Sequence, residues 1–220
     1  MKYTFFLISF FGCTLASAQN PWKDIYSESA WEQRDTWQRA EEVIKKLNVS
    51  PGSKVGDVGC HEGYFTVKLS SAVTPTGKVY AVDINKSKVE KLKEHLVKRK
   101  LTNVEVILGE EDDPKLPPLF LDAVLIVDTY HEMDEHQKVL EHIKRALKPG
   151  GRILLCEPIS DERIKLAREE QEKKHELGMN YAREDLTQAG FKIIFQQQAF
   201  VDRVKEKGDK MWLIVGEKTN

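Results

Sequence analysis

What this sequence most plainly lacks is net charge: 34 basic and 35 acidic side chains leave -1 over 220 residues. No overall positive field therefore exists to hold a polyanion, which argues against nucleic acid as a partner. The basic run Lys98-Arg99-Lys100 reads as a solvated helix end. Long apolar stretches are missing too. Beyond Leu15 nothing approaches the about 20 residues of a bilayer-spanning helix, so no integral membrane segment is expected in the body of the chain. Repeats and low-complexity linkers are absent, so one domain is expected. The 40% of hydrophobic residues suffices for the core of a single α/β unit. Nothing in the sequence signals an oligomeric state.

The first residues differ from the rest. Lys2 precedes an apolar run from Tyr3 to Leu15, and Ala16-Ser17-Ala18 then precedes Gln19. That order is the pattern of an export signal, giving a leader over residues 1–18, a mature chain over 19–220 and a periplasmic destination. Cleavage after Ala18 is preferred to lipidation at Cys13, where the preceding apolar stretch is short and Phe11 is bulky. Of the three cysteines, Cys60 and Cys156 then remain.

Along the mature chain, residues 28–47 place Trp31, Ala40, Val43, Ile44 and Leu47 at largely helical spacing and predict a leading helix. The core, 54–220, alternates. Strands are predicted at 54–58, 78–83, 104–108, 121–127 and 152–156, and helices at 64–72, 86–100 and 135–147. The charged stretch 161–176, a helix at 183–189 and strands at 191–200 and 210–215 complete the order. The run Leu121 to Val127 is continuously apolar, as a strand covered on both faces requires. This is an α/β fold with a doubly wound, mostly parallel sheet of seven strands, Rossmann-like, ending in an antiparallel hairpin around Lys205 to Asp209.

The first strand ends in Asp57-Val58-Gly59-Cys60-His61-Glu62-Gly63. Glycines at a strand-to-helix turn let backbone approach a ligand, and the helix N-terminus offers free N–H groups. Asp83 closes the second strand, where an acid can accept both ribose hydroxyls of a nucleoside. A nicotinamide fingerprint needs glycines at the first, third and sixth positions, whereas Gly56, Gly59 and Gly63 are three and four apart.

These residues resemble the class I S-adenosylmethionine-dependent methyltransferases over nearly the whole mature chain, in an exported bacterial-type member. Asp57 to Gly63 resembles the family's first motif and Val79 to Asp83 its second. Gly109-Glu110 with Leu121-Asp122-Ala123-Val124 is similar to the adenine-side loop and fourth strand. Leu147-Lys148-Pro149-Gly150-Gly151-Arg152 is similar to the approach to the fifth strand. The resemblance implies S-adenosylmethionine as cofactor, with Gly59 and Gly63 close to its methionine part, Asp57 for polar contacts, Asp83 for ribose and Glu110 for adenine. Cys60, His61, Ile84 and Asp128 complete the expected cofactor wall. His61 departs from the pattern, standing where the family has its middle glycine, so the loop must either avoid positive φ or hold a side chain at strain.

The acceptor is expected beyond the fourth and fifth strands, where Asp128 to Met133 and Glu157-Pro158 lie. Methyl transfer asks for alignment of the nucleophile and, where it carries a proton, for a base. His131 is the candidate base or substrate anchor, Tyr130 a pocket-lining residue, and Glu132 or Glu157 the group that orients the histidine or binds a cation. A plain capping role for His131 stays open. His175 is a second candidate, in a region where the family often carries a lid. His136 and His142 read as solvent-facing.

No metal ligand set is expected. His131-Glu132 with His136 has the wrong spacing for the zinc-protease pattern. Asp128 matches one ligand of the catechol-type Mg²⁺-dependent O-methyltransferases, but their Asp-Asn pair is missing near Glu157. With the family's strand order, Cys60 and Cys156 lie about two strand spacings, or about 9.6 Å, apart, beyond the about 7 Å reach of a disulfide. Those two cysteines also make arsenite an unsuitable acceptor, and Asp128-Thr129-Tyr130-His131 lacks the prolines of nucleic-acid amino-methyltransferases. The expected function is methyl transfer to a small molecule. The alternatives are a non-catalytic S-adenosylmethionine-binding protein and a Mg²⁺-dependent O-methyltransferase. Export conflicts with a cofactor made in the cytoplasm.

Overall fold

The computed structural model describes residues 28–74 and 76–219. The predicted leader, with Lys2, Cys13 and Ala18, lies outside them. The chain runs α1 (Glu28–Asp35), α2 (Ala40–Lys46), β1 (Lys54–Val58), α3 (Tyr64–Val73), β2 (Lys78–Asp83), α4 (Lys86–Lys98) and β3 (Val104–Leu108). It continues with β4 (Leu121–Val127), a 3₁₀ turn (Tyr130–Glu132), α5 (His136–Ala146), β5 (Leu147–Ile159) and α6 (Arg168–Glu172). The last elements are α7 (Met179–Gln188), β6 (Phe191–Arg203), α8 (Val204–Lys207) and β7 (Asp209–Lys218).

Seven strands form one sheet in the order β3-β2-β1-β4-β5-β7-β6. β1 pairs in parallel with both β2 and β4, and β7 is antiparallel to β5 and β6. The expected fold class is the observed one. Strand order reverses between β1 and β4, so a crevice opens at their carboxyl ends.

The central strands are apolar on both faces, and their two-residue period splits the core in two. Val124 and Ile126 of β4, Ile153 and Leu155 of β5, and Trp212 and Ile214 of β7 meet Val139, Leu140 and Ile143 of α5 and Leu186 of α7. The alternate residues Leu125, Val127, Leu154, Leu213 and Val215 meet Val43 of α2 and Phe65 and Leu69 of α3. Burying such a side chain contributes about 1.5–3 kcal/mol, so both layers hold the crevice-forming strand ends rigidly.

Several boundaries differ from expectation. The single leading helix is two, because Arg39 is left-handed at φ 54 and Thr36 closes a turn by donating its hydroxyl to the Gln33 carbonyl (2.7 Å). The break lets Trp31 face Tyr64 and His95 while Ala40 and Val43 enter the core, which one continuous helix phase cannot do. β5 begins at Leu147, which pairs with Leu121 across a register shift. The predicted helix at 183–189 starts earlier, at Met179, and the loop before β7 holds the short α8. Cys60 and Cys156 are buried free thiols, as expected.

Candidate active site

At the β1/β4 crevice lies a cavity of about 1060 Å³. Its wall is drawn from Asp57 to Phe65, Val82 to Asn85, Glu110 and Glu111, Val127 to Thr129, Glu132 to Asp134, and Arg34, Trp37 and Arg203. The first-motif turn is built around two left-handed glycines. Gly59 has φ 76, and a Cβ there would sit 2.3 Å from Thr129 Cγ2. Gly63 has φ 98 and begins α3; its Cβ would sit 2.3 Å from Leu92 Cδ1. His61 is left-handed as well, at φ 51. The strained form of the loop is thus the observed one, and histidine is among the residues that tolerate it best. Its backbone N–H donates to Asp83 Oδ2 at 2.9 Å, tying the strained residue to the acid of the next strand. Burial lowers the His61 pKa to about 4, with Lys88 adding repulsion, so the ring is neutral near pH 7.

Asp83 also accepts from the Asn85 N–H through Oδ1 (2.8 Å), and Asn85 caps α4. Two backbone donors aim the carboxylate while each oxygen keeps a lone pair for a hydroxyl. Asp57 is buried beneath the turn and accepts from the Thr66 hydroxyl at 2.6 Å. Burial pushes its pKa up to about 6, against the pull of that hydrogen bond and of Arg34. Cys60 is buried, and burial together with Asp57 and Asp83 holds its thiol well above the ordinary range. Ile84 is an exposed apolar residue of the wall, and Glu110, also in the wall, is paired with Lys115 at 2.6 Å.

Asp128, at φ 57, is tied to the Arg203 guanidinium (2.7 and 3.4 Å). Burial alone would raise its pKa, but Arg203 outweighs that and the carboxyl is held below its ordinary value. The cation at the Asp128 oxygens is the Arg203 guanidinium.

The Tyr130–Glu132 turn is organised by Glu157, which is fully buried at the end of β5. Oε1 accepts the N–H groups of Thr129 (2.8 Å) and Tyr130 (3.0 Å), while Oε2 is 2.6 Å from His131 Nδ1. A carboxylate only accepts, so Nδ1 carries the hydrogen, and in the neutral ring Nε2 holds the lone pair. Burial lowers the His131 pKa, but Glu157 more than offsets it, and the net shift is upward. His131 itself is buried and lies outside the cavity wall, to which its chain neighbour Glu132 belongs. Its Nε2 is 3.8 Å from Glu132 Oε1.

Two expectations are corrected. Tyr130 does not line the pocket: it is fully buried and donates to Asp185 Oδ2 (2.9 Å), a carboxylate that also receives Arg168 and Gln137. Glu157 takes the histidine-orienting role expected of it or Glu132, its oxygens being spent on the turn rather than on a ligand. His136 is not solvent-facing, because its ring packs on Tyr130 and its Nε2 lies 3.7 Å from Asp185. His142 is partly exposed, with Nδ1 2.9 Å from Asp113.

Residues that the sequence reading missed come from distant elements. Arg34 of α1 lies 4.2 Å above the Tyr64 ring and within 6 Å of the Phe65 and Trp37 rings, a caged cation whose pKa burial lowers. Arg203 arrives from β6. No local motif marks these positions. His175 is brought to Glu132, with Nδ1 3.2 Å from Oε1, although it too lies outside the cavity wall.

The wall suits a positively charged nucleoside. Asp57, Asp83 and Glu110 supply carboxylates, while Val58, Val82, Ile84 and Pro114 supply apolar surface for a base.

Residues 49–209 match the model of a family described as a methyltransferase domain. A demethylmenaquinone methyltransferase of Geobacillus sp. (strain WCH70) is 32% identical over 117 residues, 53% of this chain and 50% of that protein. A demethylmenaquinone methyltransferase of Staphylococcus saprophyticus is 32% identical over 131 residues, 58% of this chain and 53% of that protein. The matched stretch thus spans about half the length of each relative. A SAM-dependent methyltransferase of Aquifex aeolicus superposes with a TM-score of 0.71 at 25% identity, covering 88% of this chain and all of that one. The chain therefore belongs to the methyltransferase domain family, as a class I member whose cofactor is S-adenosylmethionine.

Proposed function

We propose that the protein transfers a methyl group from S-adenosylmethionine to a small-molecule acceptor admitted at the Asp128 to Asp134 end of the cavity. The observation that carries this reading is the continuity of one cavity from the first-motif turn, past Asp83 and Glu110, to that segment. Relatives named for demethylmenaquinone, itself a small molecule, support the acceptor class.

The cofactor supplies an electrophilic methyl on a sulfonium. Asp57 and the Gly59 to Gly63 turn hold its methionine part, Asp83 its ribose, and Glu110 with Ile84 and Pro114 its base. On the acceptor side, Glu157 fixes the His131 ring through Nδ1 and leaves Nε2 basic. Glu132, in the cavity wall 3.8 Å from Nε2, links that atom to an acceptor proton. Positioning contributes most of the acceleration and base assistance a further about 10²–10⁴-fold.

The test is release of S-adenosylhomocysteine across a panel of small acceptors. Asp83→Ala is expected to abolish cofactor binding, and His131→Ala to lower turnover with cofactor affinity kept. Cofactor binding with no release from any acceptor would overturn the reading in favour of a non-catalytic binder. We also propose, from the pattern of Lys2 to Ala18, that the chain is exported and cleaved after Ala18. N-terminal sequencing is then expected to begin at Gln19, and recovery of only uncleaved cytosolic chain would overturn it.

A further inference from the structure

Beside the acceptor end, three side chains from two segments converge without serving the core. His131 Nε2 lies 3.8 Å from Glu132 Oε1, and His175 Nδ1 lies 3.2 Å from the same oxygen. All three atoms fall within 4.8 Å of one another. The two imidazoles stand nearly perpendicular, with ring centres 5.8 Å apart. We propose that His131, Glu132 and His175 form a binding site for a divalent transition-metal ion, Zn²⁺ being the best match.

Donor chemistry is the first argument. Two imidazole nitrogens and one carboxylate oxygen form a set used by zinc centres that keep an open fourth position. Ligand bonds of about 2.0–2.2 Å in a tetrahedral site place donor atoms roughly 3.4 Å apart. The observed 3.2 and 3.8 Å bracket that value, and the remaining approach is available because Glu132 and His175 are exposed and free to adjust.

A ligating histidine ordinarily donates its other ring N–H to a carboxylate, which fixes the tautomer and makes the ligand more basic. His131 does this already: Nδ1 meets the fully buried Glu157 at 2.6 Å, and Glu157 is itself fixed by two backbone N–H groups. The ligand nitrogen, Nε2, is therefore aimed before an ion arrives. His175 is held at φ 56, a left-handed conformation that brings it back over the Tyr130–Glu132 turn.

The inference deepens the reading of this rim as the acceptor end and rests on it. Glu132 belongs to the cavity wall, so an ion that it helps to hold sits at the edge of the cavity. A hydroxyl or water bound there gives up its proton to solvent near neutral pH, leaving the oxygen on the metal with both electrons of the broken O–H bond. Lewis acidity would then do for an acceptor hydroxyl what proton uptake by His131 alone does without the ion.

The experiment is titration of chelator-treated, dialysed protein with ZnCl₂ by calorimetry and with CoCl₂ by visible absorption. Expected are one ion per chain and the intense visible bands of low-coordinate Co²⁺. His175→Ala and Glu132→Gln each remove the bands. Glu157→Gln weakens Zn²⁺ binding by about 10–100-fold. The surface variant His142→Ala leaves it unchanged. Absence of stoichiometric binding, or binding that survives His175→Ala in a chain with unaltered circular dichroism, overturns the site. S-adenosylmethionine affinity, measured on the same samples, separates the two claims. Cofactor binding without metal binding sinks only the ion, whereas metal binding without methyl release from any acceptor sinks the acceptor reading and leaves the ion in place.

Discussion

Replacing Asp57 by Asn tests whether the buried acid beneath the first-motif turn is what makes cofactor binding depend on pH. Burial pushes the Asp57 carboxyl from 3.8 up to about 6, so protonation is substantial at mildly acidic pH. A cofactor carrying positive charge needs the ionised form. With a pKa of about 6, the ionised fraction falls from roughly 90% at pH 7 to roughly 10% at pH 5, so affinity should fall about tenfold over that interval. Asn is nearly isosteric and keeps the contact with Thr66, so the variant should bind weakly at pH 7 with a nearly flat profile. His61, lowered to about 4, stays neutral throughout this window and does not contribute. The same acid acts on stability with the opposite sign. A carboxyl with a raised folded pKa stabilises the empty protein fully below 3.8 and loses that contribution as pH rises through about 6. The displacement corresponds to about 3 kcal/mol at full ionisation. Calorimetric titration with S-adenosylmethionine at several pH values gives the first slope, and urea unfolding gives the second. Identical pH slopes in the wild type and Asp57→Asn, in both assays, would refute the assignment.

Three other substitutions probe separate parts of the argument. Gly59→Ala puts a Cβ against Thr129 at a left-handed position, so a loss of at least about 1 kcal/mol in urea unfolding is expected, together with loss of cofactor binding. Tyr130→Phe removes one donor from Asp185, which keeps Arg168 and Gln137; stability should fall by about 1 kcal/mol while cofactor affinity stays unchanged, and a large affinity change would show that Tyr130 serves the pocket after all. Arg203→Ala strips half-buried Asp128 and buried Asp209 of their shared partner and leaves the Asp209 carboxylate uncompensated in the interior, costing about 3–5 kcal/mol by thermal or urea unfolding, whereas a neutral result would mean the cluster is solvated.

The parts of the fold legible in sequence were those where one segment carries its own reason. Leu121 to Val127 is apolar on both faces because layers cover both, and the glycines of the first turn are there because Thr129 and Leu92 leave no room for a Cβ. Asp83 was legible from its place at a strand end. The remainder depends on what another segment supplies. Tyr130 was assigned to the pocket because it follows the fourth strand, but a 3₁₀ turn sends adjacent side chains in different directions, and the polar partner waiting for its hydroxyl, Asp185, is on α7. The break at Thr36 to Arg39 is settled by where Gln38 and Arg39 find partners, on Met211 and the Phe200 carbonyl near the other end of the chain. Arg34 and Arg203 entered the site from α1 and β6, so neither spacing nor composition around them could mark them.

Glu157 also has a meaning for how the protein assembles. It follows Cys156, the residue that pairs with Val127 at the last matched position of β4 and β5, and it gathers donors from Thr129, Tyr130 and His131. If β5 docked one residue out of step, Cys156 or Pro158 would face those donors, and neither offers a carboxylate. Two backbone N–H groups and a ring N–H would then be stranded in the interior. The turn that prepares His131 therefore works as a proofreading device for the sheet, penalising the wrong alignment of its two central strands at the place where the chemistry is set up.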